Sequence, residues 1–365
     1  MGLDDPPPPI ITSEAVRDYL RQRGHRGAQV ESIDALGGGA TSDVKAHGYG
    51  RPLLVTFHAG GVRRRIVVRT MAPDPFGHER RPDRAAALML AFDTFNDLPR
   101  HIRALDLGAV ATDGSLAPMP AGETFLVTEY AEGSLYADDL GAIARLAVPR
   151  PLDESRADAL AGYLAALHRD PIPAESYARS LRDVVGSGEG IFGLSDSYPP
   201  ADRVAPPARL LALENAANAW RWRLKDRGRR SRRIHGDFHP FNILFREDAD
   251  FTLLDRSRGG AGDPADDLTT LTINHMVFAL EARGAFDGAL RAIWSRVWSR
   301  WMAGTGDREA LEVVAPFFAW RALVLANPLW YPRFTEPLRD RLLRFAEALL
   351  AGAAFDPDGV DALLA

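Results

Sequence analysis

Residues Ile234–Leu268 run I-HGDFHPFN-ILFREDADFTLLD-RSRGGAGDPADDL. Two short apolar runs, Ile243–Phe245 and Phe251–Leu254, alternate with three polar clusters. The clusters are His235, Gly236, Asp237, His239 and Asn242; then Asp255, Arg256 and Arg258; then Asp263, Asp266 and Asp267. An apolar run beside a carboxylate is the pattern of a strand end that carries an acid into a cleft. The simplest geometry is a hairpin through the polar turn Arg246–Asp250. That pairing would set Asn242 and Asp255 facing each other across one end. An amide oxygen and a carboxylate are hard oxygen ligands, suited to Mg²⁺ with phosphate oxygens and waters completing the shell. Asp237, five residues before Asn242, is not needed for the metal and is free to accept a proton. The competing reading is a polar turn between two core strands, with no chemistry.

The order H-G-D-x-x-x-x-N, apolar strand, Asp resembles the aminoglycoside phosphotransferase and choline kinase-like families, small-molecule relatives of the protein kinases. The kinase catalytic loop has the same Asp-to-Asn spacing. The resemblance implies Asp237 as catalytic base, Asn242 and Asp255 as Mg²⁺ ligands, and His235 and Asp263 as braces of the loop. Gly236 in place of the kinase Arg points to the antibiotic-kinase-like branch. It also implies a protein-kinase-like α+β fold, with a small, mainly antiparallel β-lobe over residues 1–130 and a larger, mainly helical lobe over 131–365.

The chain has 365 residues, 46% hydrophobic, enough for two domains or one two-lobed domain. Its net charge of −5 does not by itself indicate a nucleic-acid partner. It has no cysteine, which excludes a disulfide framework and a thiol nucleophile. The start MGLDDPPPP is acidic and proline-rich, unlike a secretory signal, and a cytoplasmic location is expected. The most apolar long stretch, Val313–Tyr331, carries Arg321 and two prolines and reads as a buried helix followed by a turn, not a membrane span.

In the N-terminal third, Thr12 or Ser13 is positioned to cap a helix over Glu14–Arg23. Gln29–Leu36 leads into Gly37-Gly38-Gly39-Ala40-Thr41-Ser42. Alone this run reads as a flexible turn. Beside the Asp237–Asn242–Asp255 pattern we read it as a loop closing over phosphates, with backbone amides at Gly38 and Gly39 and hydroxyls at Thr41 and Ser42. Leu53–His58 and Arg65–Thr70 are strands joined through Ala59-Gly60-Gly61, and Arg84–Phe95 reads as a helix. In the family a lysine on the second of these strands grips the α- and β-phosphates; Arg69 stands there instead. A planar fork is not equivalent to a point charge at a tight site. Glu79 is the nearest candidate for that cation's acidic partner. Ala104–Ala111 and Thr124–Tyr130 are further strands. Thr128, Glu129 and Ala131 resemble the family's hinge, whose backbone bonds adenine.

The remainder reads as helical, with helices at Asp153–His168, Ala208–Asp226, Pro264–Arg283, Phe286–Met302, Arg308–Ala326 and Thr335–Leu350. Residues 170–207 are rich in Pro, Gly and Ser and read as an insertion or mobile loop. His168 reads as a cap or core residue. Arg221–Arg233 carries eight basic residues and reads as a solvated surface rather than a nucleic-acid patch. Asp263 is a candidate N-cap, while Asp266 and Asp267 complement the helix dipole. Trp294, Trp298 and Trp301 share one helix face and read as core. The expected activity is transfer of the γ-phosphoryl group of ATP, or GTP, to a hydroxyl of a small molecule. The acceptor's identity is not written in the sequence. The alternative is a nucleotide-binding, catalytically weak scaffold, motivated by Arg69 and by the place of Glu79 before or at the helix start.

Overall fold

The computed structural model describes residues 10–36, 50, 52–72, 78, 81–117, 123–256 and 258–364. The chain forms two compact units. The first runs to Glu132 and takes back Thr252–Arg258; the second holds Gly133–Phe251 and Gly259 onward.

The first unit opens with α1 (Ser13–Gln22), capped by the Thr12 hydroxyl, which accepts the Ala15 N–H at 3.2 Å. Its strands are β1 (Gln29–Ala35), β2 (Leu53–Ala59), β3 (Val62–Arg69), β4 (Ala104–Val110), β5 (Leu116–Ala117) and β6 (Glu123–Glu129), with α2 (Arg81–Phe95) between β3 and β4. They form one antiparallel sheet in the order β1-β2-β3-β6-β4-β5. Gly60 and Gly61 join β2 to β3 with φ of 60° and 76°. A two-residue hairpin with both central residues at positive φ is where glycine is needed. Strand alternation then sorts the side chains. Val55, Phe57, Val68, Phe125 and Val127 pack with Val16, Tyr19 and Leu20 of α1, whereas Leu126 and Ala104 pack with Leu88, Ala91 and Phe95 of α2. Leu254 joins the second cluster, which seats the returning segment and with it Asp255.

In the second unit β7 (Ser134–Leu135) leads into α3 (Tyr136–Ile143), α4 (Pro151–Leu167), α5 (Glu175–Gly186), α6 (Ile191–Asp196) and α7 (Pro207–Leu224). Four short strands follow: β8 (Arg232–Arg233), β9 (Ile243–Phe245), β10 (Phe251–Leu253, whose last two residues belong to the first unit) and β11 (Ala261–Gly262). The small sheets have the orders β10-β9-β7 and β11-β8. The expected hairpin is present, its turn closed by the Arg246 N–H on the Asp250 carbonyl at 3.0 Å. The helices α8 (Pro264–Arg283), α9 (Gly288–Thr305), α10 (Ala310–Val313), α11 (Ala315–Ala326) and α12 (Glu336–Leu350) complete the chain.

Helix α8 is central: every residue from Pro264 to Leu280 is buried. A helix buried on all sides must satisfy its polar side chains internally. Thr272 donates to the Leu268 carbonyl and Asn274 to that of Thr270. Trp294, Trp298 and Trp301 of α9 are fully buried, the first two against Phe318 and Phe355.

The expected α+β class, a small antiparallel sheet unit and a larger, mainly helical unit, is the observed one. Residues 170–207 depart from expectation: α5 and α6 lie there and bury Tyr177, Leu181, Val184, Val185, Ile191 and Leu194. Proline, glycine and serine mark the ends of these short helices and mask their apolar faces. The expected single helix Arg308–Ala326 is two, with Val314 between α10 and α11. Among the described residues no helix is long and apolar enough to cross a membrane.

Candidate active site

The stretch from Ile234 to Asn242 forms a loop in the helical unit. It begins where β8 pairs with β11 and the Ile234 N–H donates to the Gly260 carbonyl at 3.0 Å. Gly236 has φ of 86°, a conformation that costs a side chain strain. That twist presents two successive amides to one carboxylate. Asp267 Oδ2 accepts the His235 N–H and Oδ1 the Gly236 N–H, both at 2.8 Å.

Asp267 is fully buried on α8, and His168 Nε2 lies 3.1 Å from its Oδ2. Trp301 Nε1 donates to His168 Nδ1 at 2.9 Å. An indole N–H is a donor only, so Nδ1 is the acceptor and the ring proton sits on Nε2, facing Asp267. Burial pushes a carboxyl pKa up; the His168 bond, the imidazoles nearby and the backbone donor outweigh it and hold Asp267 below its usual value.

The loop is also tied within itself. The wholly buried His235 accepts the Asp237 N–H on Nδ1 at 3.3 Å. Asn242, at the end of a 3₁₀ turn over Pro240–Asn242, donates from Nδ2 to the Asp237 carbonyl at 3.0 Å and reaches Asp237 Oδ2 at 3.3 Å. Its amide oxygen therefore belongs to the side turned from those contacts. His239 Nδ1 accepts the Phe241 N–H at 3.1 Å, which places the ring proton on Nε2, 3.5 Å from Asp237 Oδ2.

Asp237 also has a contact that its sequence neighbourhood does not predict. Arg321 of α11, only 5% exposed, places Nη1 3.0 Å from Asp237 Oδ1 and Nη2 3.1 Å from Asp266 Oδ1 and 3.3 Å from the Gly236 carbonyl. Its guanidinium lies over Trp320 at 3.8 Å. Burial, and after it the charge of Asp237, pushes the nearby Tyr331 hydroxyl well above its usual pKa. One signal was available: a lone arginine inside the apolar run Val313–Ala326 has to be paired if the run is buried.

The bracing expected of Asp263 falls to Asp267. Asp263 caps α8 through the Ala265 N–H at 2.9 Å, as its position suggested, and is otherwise held by both arms of Arg230 and by the Tyr177 hydroxyl. Asp267 does more than complement the helix dipole. Both acids are buried, and which of them meets the loop amides is set by packing that two adjacent letters do not show.

In the sheet unit, Arg69 ends β3, paired with Leu126, and its Nη2 lies 2.6 Å from Asp255 Oδ2. The cation expected at the phosphates thus meets the carboxylate expected at the metal. Thr128 is buried on β6 opposite Val67, and Glu129 stands opposite Ile66 with its N–H donated to the Arg103 carbonyl at 3.0 Å. Ala131 is half-buried against the α2 cluster. Gly38, Gly39, Thr41, Ser42 and Glu79 lie outside the described residues. Among the described residues no three His, Asp or Glu side chains are grouped to hold a metal ion.

The family model APH, the phosphotransferase enzyme family, matches residues 35–303. The chain belongs to this family and is a phosphotransferase. No curated protein matches its sequence. Among solved structures it is similar to the aminoglycoside phosphotransferase APH(3'')-Id from Streptomyces rimosus in complex with ADP and streptomycin, at 18% identity, TM-score 0.48, covering 88% of this chain and 100% of that one. It is also similar to the choline kinase LicA from Streptococcus pneumoniae, at 14% identity, TM-score 0.48, covering 93% and 98% of the two chains.

Proposed function

We propose that this phosphotransferase moves the γ-phosphoryl group of ATP, or of GTP, to a hydroxyl of a small molecule, with Asp237 as the base. The observation that carries the reading is the loop itself. Two backbone amides fixed by Asp267 set its course, and Asp237 is held from both sides by Arg321 and Asn242. Preorganisation of this kind costs little to maintain at the moment of reaction. In the step, the acceptor oxygen forms a bond to the γ-phosphorus as the bond to the β,γ-bridging oxygen breaks. The nucleoside diphosphate leaves and the hydroxyl proton passes to Asp237. Arg321 keeps the carboxylate in one orientation, and His239 stands beside its second oxygen.

Asn242 and Asp255 are the oxygen donors assigned to Mg²⁺. Their chemistry fits: one amide oxygen and one carboxylate, both hard. When bound, the metal neutralises charge that builds on the phosphates. Arg69, the Gly38–Ser42 run and the backbone at Thr128, Glu129 and Ala131 are assigned to the nucleotide, with Glu79 as the candidate partner of the strand cation.

The Arg69–Asp255 ion pair favours a second reading, a nucleotide-binding scaffold with little turnover, because each member occupies the other. One assay separates the two. Nucleoside diphosphate release is screened across hydroxylated metabolites and antibiotics, with and without Mg²⁺. Acceptor-stimulated, Mg²⁺-dependent release that disappears in Asp237→Asn supports transfer. Nucleotide binding with no stimulated release by any acceptor supports the scaffold.

A further inference from the structure

The basic run Arg221–Arg233 is absorbed only in part by the fold. Arg227 and Arg229 pair with Glu309, Arg230 with Asp263 and Asp307, and Arg233 with Asp170. Arg232 differs. Its Nη1 donates to the carbonyls of Arg229 and Ser231, at 2.7 and 2.8 Å, and it meets no carboxylate among the described residues. It shares a pocket with a second arginine of the same kind, Arg169, whose Nη2 donates to the Gly304 carbonyl at 3.1 Å.

That pocket has a volume of about 450 Å³, within the range of small-ligand sites. It is lined by four arginines, Arg169, Arg229, Arg230 and Arg232, against two carboxylates, Asp307 and Glu309. Both carboxylates are already engaged by Arg227, Arg229 and Arg230. The surplus positive charge is that of Arg169 and Arg232. We propose that this pocket binds a small oxyanion, phosphate- or carboxylate-bearing, between Arg169 and Arg232. The planar fork of arginine matches both groups, and carbonyl partners leave its charge uncompensated. His168 and Trp301 form part of the same wall, and Pro264, the first residue of α8, another. An occupant therefore sits against the pair of side chains that orients Asp267 toward the catalytic loop.

The test is direct binding by calorimetry at low ionic strength, with pyrophosphate and citrate as probes. The proteins are the full chain, Arg169→Gln/Arg232→Gln, Arg169→Lys/Arg232→Lys and Arg69→Gln. Wild type is expected to bind at least one probe. The glutamine double variant should weaken it about tenfold or more, and the lysine double variant, which keeps the charge, should recover part of that loss. Arg69→Gln should keep the binding that the glutamine double variant loses, with any change of its own confined to pyrophosphate at the nucleotide end. Pyrophosphate alone binding assigns a phosphate ligand, and citrate alone a carboxylate. Absence of binding to either probe by wild type overturns the proposal. So does equal binding by the glutamine variant, or a loss confined to Arg69→Gln, which would place the anion at the nucleotide end instead. None of these readouts depends on turnover.

Discussion

Arg321 and Asp237 form a buried ion pair, 3.0 Å between Nη1 and Oδ1, and the same guanidinium also holds Asp266 at 3.1 Å. One cation thus separates two carboxylates that would otherwise repel across the loop. Removing one partner of a buried pair leaves an uncompensated charge and costs roughly 3–5 kcal/mol. Arg321→Leu is expected to lose stability on that scale in urea melts. Arg321→Lys keeps the charge but not the fork, so it should lose less stability while still lowering turnover. Wild-type stability in the leucine variant would remove Arg321 from this account.

Asp237→Asn preserves the shape of the side chain and removes its basicity. General-base assistance is worth about 10²–10⁴ in rate, and turnover should fall on that scale. Nucleotide affinity by calorimetry should stay near wild type, because no contact assigned to the nucleotide is altered.

Trp301→Phe deletes the indole N–H together with ring carbons at a fully buried position. The Trp301–His168 bond engages Nδ1 of the imidazole. With it gone, ¹⁵N NMR should show the Nδ1 resonance of His168 shift while Nε2, still facing the Asp267 carboxylate, keeps its proton. Stability should drop by roughly 2 kcal/mol, the lost bond adding to the cavity left by the missing ring atoms. Turnover should fall with the nucleotide KM unchanged, a split that a general loosening of the core would not give.

Asp255→Ala should abolish the Mg²⁺ dependence of nucleotide binding and lower stability moderately. Asp255 is buried and Arg69 half-buried, so removing the carboxylate leaves a poorly solvated guanidinium, at a cost of about 1–3 kcal/mol. Calorimetric titrations with and without Mg²⁺ check the first expectation and thermal melts the second. Persistence of the Mg²⁺ effect would show that the metal is held elsewhere.

His275, fully buried on α8 with the Tyr136 hydroxyl 3.2 Å from Nε2, has its pKa lowered by burial to about 3. The unfolded chain therefore holds more protons than the folded one between about pH 6.5 and that value. Stability should fall as pH drops through this window, by at most about 1.4 kcal/mol per pH unit from this group. Between pH 7 and 5, wild type is expected to lose about 2 kcal/mol more than His275→Gln, read from urea midpoints.

The spacing of Asp237, Asn242 and Asp255 was legible because loop, strand and turn lengths are local quantities. So were the hairpin at Gly60-Gly61 and the burial of the tryptophan face. Arg321 was not, since it meets the loop from 84 positions away. Asp267 was seen, but only as one of two acids suited to a helix start; that Asp267 takes the loop amides and Asp266 takes Arg321 depends on neighbours that the helix itself does not specify. In residues 170–207, breakers at the ends of α5 and α6 outweighed the apolar positions between them. The Arg69–Asp255 pair, 186 positions apart, lies beyond any local pattern.

The chain Trp301–His168–Asp267 has a practical corollary for anyone who would transplant the octapeptide His235–Asn242 into another scaffold. The segment's curvature is dictated by a carboxylate that is itself steered by an imidazole and an indole from two other helices. A graft carrying only the eight letters would arrive without its scaffolding, and the smallest portable piece includes the facing turns of α4, α8 and α9.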